Sequence, residues 1–175
     1  MNLSYYRWKR LFLFGLGLFV GTAYCMKWME EDLWVNKEKF TVLGLELFYS
    51  KEKVQVILST LDYRVETILR YLLYFDFAFM AGVYPGITAL CMMAREKIAS
   101  SRLKKILLFL AAFQLLAWGA DLMENYCLLV WIKEPVIGSE FEWYHGIVVV
   151  KWIIALTGAL LSIPLVLRKK PLETY

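Results

Sequence analysis

Histidine occurs once in the 175 residues and cysteine three times, with no CxxC pair. That scarcity argues against a zinc centre, which draws several ligands from His and Cys. It equally disfavours a dithiol-coupled redox enzyme of the membrane. The thiols are Cys25, Cys91 and Cys127. Cys25 and Cys127 fall near the outer ends of their spans, so a disulfide between them is geometrically open; buried free thiols are the alternative. The single His145 sits beside Trp143 and Tyr144 and reads as an interfacial residue. There is no Gly/Ser-rich linker, no low-complexity tract and no internal repeat, so the chain is read as one domain over 1–175. No nucleophile–base set is visible, which leaves the catalytic residues unknown. No metal and no cofactor is expected.

What the chain has in excess is apolar surface. It is 60% hydrophobic and 17% aromatic, with a mean hydropathy of +0.52. Four apolar segments, about 11–26, 71–94, 106–132 and 146–167, approach the length that a hydrocarbon core of about 30 Å requires. The first is short and needs Arg10 and Lys27 to snorkel outward. The expected fold class is all-α: a four-helix transmembrane bundle with an outer amphipathic interfacial helix. That helix belongs to the outer segment 28–69, where Ser50 is a cap candidate and Val54, Ile57, Leu58 and Leu61 recur on one face. It is expected to lie on the bundle, with a lid over the outer mouth as the sharper possibility.

Charge is modest in sum (+4) but uneven in place. Basic residues cluster at Arg7, Lys9 and Arg10, at Arg95, Lys97, Arg102, Lys104 and Lys105, and at Arg168, Lys169 and Lys170. By the positive-inside rule both termini and the middle loop are expected in the cytoplasm. The same clusters suit anionic lipid headgroups, so membrane lipid and not nucleic acid is the expected partner. No small-x-small cleavage site follows the first apolar run, so it is expected to stay as a span. Gly17 and Gly21 form a GxxxG, backed by Gly15, and are expected to pack inside the monomer. Pro85 is expected to kink the second span and free the Ala81 carbonyl.

The third span is the informative one. Asp121, Glu124 and Asn125 stand at i, i+3 and i+4, so they share one helix face, with Gln114 two turns earlier on that face. Ionisable groups so deep normally point into a bundle or a wet cavity. Asp76 in the second span and Lys151 in the fourth fall at the same depth when counted from the outer surface. Three acids against one ammonium cannot all stay ionised without a counter-charge or water. A polar clasp pinning three helices needs no such surplus of acid; a binding cavity accounts for it. Asp76, Asp121, Glu124, Asn125, Lys151 and Gln114 are therefore the candidate ligand-binding residues. Asp121 or Glu124 is expected to pair with Lys151.

The strings Phe75-Asp76-Phe77 with Tyr84, Ala120-Asp121-x-x-Glu124-Asn125 and Lys151-Trp152 resemble an uncharacterised family of small four-span bacterial integral membrane proteins. The resemblance covers roughly 50–167 and implies a bacterial inner-membrane setting; it carries no activity. The expected function is an outward-facing intramembrane acidic pocket for a lipid-like or cationic small ligand. The alternatives are an accessory subunit whose polar face packs against a partner membrane protein, and a lipid-modifying enzyme using Asp121 or Glu124 as acid or base.

Overall fold

A computed structural model describes residues 3–168, so the basic residues Lys169 and Lys170 lie outside the described residues. Helices α1 (Leu3–Met29), α3 (Tyr63–Lys97), α4 (Ser101–Lys133) and α5 (Glu140–Leu167) are each long and apolar enough to cross a membrane. At 1.5 Å per residue the 33 residues of α4 rise about 50 Å, more than the hydrocarbon thickness, so its ends reach the headgroups. All four helices extend past the spans read from hydropathy. The added turns carry charge, such as Glu66 and Arg70 in α3, which falls below any hydropathy threshold yet suits a helix surface.

The packing is that of a multi-pass membrane protein. Phe14, Leu115 and Leu160 are each about two-thirds exposed on the outer face, where a water-soluble bundle would place charge. Helix α3 is the central element: it contacts α1, α4 and α5, and α4 also packs on α5. Helix α1 lies along α3 alone. Its close approach depends on glycine, since a Cβ at Gly15 would come 2.7 Å from the Gly82 carbonyl oxygen and 3.1 Å from the Gly86 Cα. A Cβ at Gly82 would meet the Phe19 backbone nitrogen at 2.8 Å. This corrects the reading of the first span's glycines. Gly15 makes the contact, whereas Gly17 and Gly21 face open space. The GxxxG that packs is Gly82–Gly86 in α3. Pro85 lies between them, and α3 continues as helix on both sides of it.

The outer segment is built from short pieces. A turn over Glu30–Asp32 leads to a two-residue hairpin, β1 (Trp34–Val35) with β2 (Glu38–Lys39), whose turn residues Asn36 and Lys37 have φ of 50° and 67°. Positive φ at both positions matches the twist that tight hairpins favour. Next comes a wide helical turn, Gly44–Phe48, closed by the Tyr49 N–H donating to the Gly44 carbonyl at 2.8 Å. Its Gly44 lies against the Tyr49 ring, where a Cβ would collide. Helix α2 (Lys51–Ser59) is capped by Ser50, which accepts from the Lys53 N–H at 3.3 Å. As expected, Val54, Ile57 and Leu58 are buried, in one core cluster with Leu69, Leu73, Leu128 and Trp131. Helix α2 therefore plugs one end of the bundle. Asp62 then caps α3, accepting from the Val65 N–H at 2.8 Å.

All three cysteines are free, and only Cys91 is buried. The glycine contact yields a direct test. Gly82→Leu should lower the melting temperature in mild detergent, because overpacking against backbone costs about 1–3 kcal/mol. Gly17→Leu should leave it unchanged. Equal melting of the two variants would contradict the α1–α3 packing.

Candidate functional site

The site begins with Lys151, near the middle of α5. Its side chain is buried, and its ammonium bonds Asp121 Oδ1 at 2.5 Å and contacts the Glu124 carboxylate. A third carboxylate, Glu46 Oε2, lies 3.7 Å away. The 3.6-residue period places Asp121 and Glu124 on the inward face of α4, and both are buried there. Tyr84 of α3 donates its hydroxyl hydrogen to Asp121 Oδ2 at 2.7 Å, so both oxygens of that carboxylate are engaged. Asn125 completes the α4 face. Its Nδ2 donates to Asp76 Oδ2 at 2.8 Å and to the Leu73 carbonyl at 3.3 Å. One amide thus orients a carboxylate and holds α3 against α4.

The structure brings Asp76, Asp121, Glu124, Asn125 and Lys151 together, and separates Gln114 from them. Gln114 shares their face but lies two turns further along α4. Its Nε2 donates to the Leu110 and Ile154 carbonyls, both at 3.2 Å, where a Cβ at Gly158 would come 2.7 Å from that nitrogen. It is a helix-packing residue and does not line the cavity described next. Its place on the face, two turns from Asp121, is as the spacing predicts; its grouping with the ligand-binding residues is not supported by the cavity lining.

Two residues were missed. Glu46 is not among the residues picked out by spacing, yet it is 8% exposed and reaches Lys151 from the wide turn. A lone acid within Val42–Tyr49, otherwise nearly all apolar, was the available signal. Burial pushes the Glu46 carboxyl above the usual carboxylate range, while Lys151 pulls it back. Tyr84 was noted for its string and not for its hydroxyl.

A cavity of about 460 Å³ lies against this cluster. Glu46, Asp76, Tyr84, Asp121 and Lys151 form its polar end; Glu124 and Asn125 stand behind them, outside the lining. The remaining wall is largely apolar, with Phe19, Met26, Phe79, Ile87, Trp152 and Leu156 among its residues. Helices α1 and α5 flank it. No residue of α2 lines it, so the sharper expectation of α2 as a lid is not supported; Val42, Leu43 and Glu46 are the residues between α1 and α2 that line it. Among the described residues no set of three His, Cys, Asp or Glu side chains is arranged to hold a metal ion.

The charge inventory separates two roles within one cluster. Four carboxyls face one ammonium, so full ionisation would leave three negative charges uncompensated in a desolvated site. Lys151→Met strands the acids and should lower the melting temperature most, by the equivalent of about 3–5 kcal/mol. At least one of Asp121→Asn and Glu124→Gln should melt at or above the unaltered protein, because a desolvated charge disappears. A marked drop in both carboxyl variants would reduce the cluster to a clasp.

Compared with known proteins, the chain matches no family model, no curated protein and no solved structure, so the role of the site rests on its own geometry.

Proposed function

We propose that this is a bacterial inner-membrane protein whose outward-facing acidic pocket binds a lipid-like or cationic small ligand. The observation that carries the reading is the cavity itself. It is apolar along most of its wall and ends on Asp76, Asp121, Glu46 and Lys151, none of which a lipid-facing groove would retain without use. Its volume of about 460 Å³ lies within the roughly 300–1,000 Å³ typical of small-molecule sites. Basic residues at Arg7, Lys9, Arg10 and along Arg95–Lys105 support cytoplasmic termini, which would put the polar end in the outer half of the bilayer. A second reading, docking to a partner span, draws on Gly17 and Gly21, whose face of α1 is open.

Native mass spectrometry of the protein released from mild detergent should show a retained small molecule. Ala159→Phe, which fills the cavity wall, should remove it. A retained protein with an empty pocket would favour the accessory-subunit reading. Orientation is checked separately: a Ser139→Cys variant should react with an impermeant maleimide in intact cells, and a Ser100→Cys variant should not. The reverse pattern would invert the topology.

A further inference from the structure

We propose that the occupant of the pocket is a single-chain amphiphile with a monocationic ammonium head, received by Asp76, and that it slides in sideways from the membrane between α1 and α5. This deepens the ligand-binding reading above and rests on it.

The head group follows from which charges are already spoken for. An ammonium has three donor hydrogens, and Lys151 faces three carboxylates: Asp121, Glu124 and Glu46. It is saturated. A phosphate or carboxylate head would find no free cation at the polar end and would meet Glu46, Asp76 and Asp121 instead. Asp76 is the opposite case. It is only 8% exposed and lines the cavity. Its Oδ2 accepts from the neutral Asn125 amide, and among the described residues no hydrogen bond reaches its Oδ1 and no ammonium or guanidinium stands within ion-pair distance. A carboxyl held in place by an amide, unmatched by a cation and facing an open volume is a receptor for one. Phe79 and Tyr84 line the same cavity and offer the aromatic walls that ammonium groups favour.

The route follows from the packing. Helix α1 packs along α3 and makes no comparable contact with α5, yet both helices line the cavity. At its sides stand Phe19 and Leu156, 37% and 50% exposed, on the surface that faces hydrocarbon. The outer rim is closed by the Lys27–Glu30 ion pair at 2.7 Å and by Glu30 Oε1, which accepts from the Val42 N–H at 3.1 Å. The side is therefore apolar and the top is polar and tied. An alkyl chain can stay in hydrocarbon while its head reaches Asp76. The small volume suits one chain and not two.

The test uses three probes of equal chain length, dodecylammonium, dodecanol and laurate, with the full-length protein in phosphatidylcholine nanodiscs. Equilibrium binding is read by thermal shift and native mass spectrometry. Dodecylammonium should bind at least roughly tenfold more tightly than dodecanol, as a charge-assisted hydrogen bond predicts, and laurate should bind weakest. Asp76→Asn should abolish the preference for the amine while dodecanol binding persists, which also shows that the variant is folded. Equal binding of amine and alcohol, tighter binding of laurate, or an amine preference that survives Asp76→Asn would overturn the inference and leave the pocket reading standing. Failure of all three probes to bind would overturn both.

Discussion

The structure turns on one ammonium group. Lys151 is the cation against which Asp121, Glu124 and Glu46 are held, and these come from α4 and from the outer segment while Lys151 comes from α5. Helix α3 joins through Tyr84, which donates to Asp121, and through Asp76, which accepts from Asn125. Every element of the three-helix core therefore meets at this point. In water such an arrangement would be one polar contact among many. In hydrocarbon there is little apolar driving force between helices, so hydrogen bonds and close packing decide how they associate. A desolvated carboxylate is tolerable only beside its cation, and the geometry of the helices follows from that demand.

The cluster has an inner and an outer side, and they differ in chemistry. Glu124 and Asn125 are almost wholly enclosed and bond neighbouring helices. They hold the bundle. Asp76, Asp121 and Glu46 face the cavity instead. The distinction arises because, among the long helices, α1 packs chiefly on α3. Its glycine contact brings the two backbones close along one line, and on the α5 side α1 stands clear, so a gap persists beside the polar face. A side chain at Gly15 or Gly82 would push α1 away and alter the width of that gap. The glycines thus set the shape of the cavity from its far side.

Much of this was legible from residue spacing alone. The four spans, the cap at Ser50, the apolar face of α2 and the inward set Asp121, Glu124 and Asn125 follow from periods of 3.6 and from the cost of charge in hydrocarbon. The misses have specific causes. Gly17 and Gly21 match a packing motif, but two residues along a helix turn the face by about 200°, so Gly15 points to α3 while they do not. Gln114 shares a face with Asp121, yet seven residues carry it about 10 Å along the axis, out of reach of the cavity. Glu46 was hidden because its position depends on a wide turn, and no periodic pattern encodes where such a turn will aim a side chain.

That last miss bears on how the outer segment works. A loop that only covered the bundle could bury apolar residues, as α2 does, and need no acid. The wide turn instead delivers a carboxyl to a site already rich in acid, beside the one cation present. This adds desolvation cost without adding a helix contact that Leu45 does not already supply, since Leu45 is itself fully buried in the outer core. Buried charge that stability does not require is the kind retained for a site. Glu46 and Asp76 both line the cavity, so the carboxyl that the wide turn delivers stands on the same open volume as the one carried by α3. The segment between α1 and α3 thus supplies part of the cavity wall, through Val42, Leu43 and Glu46.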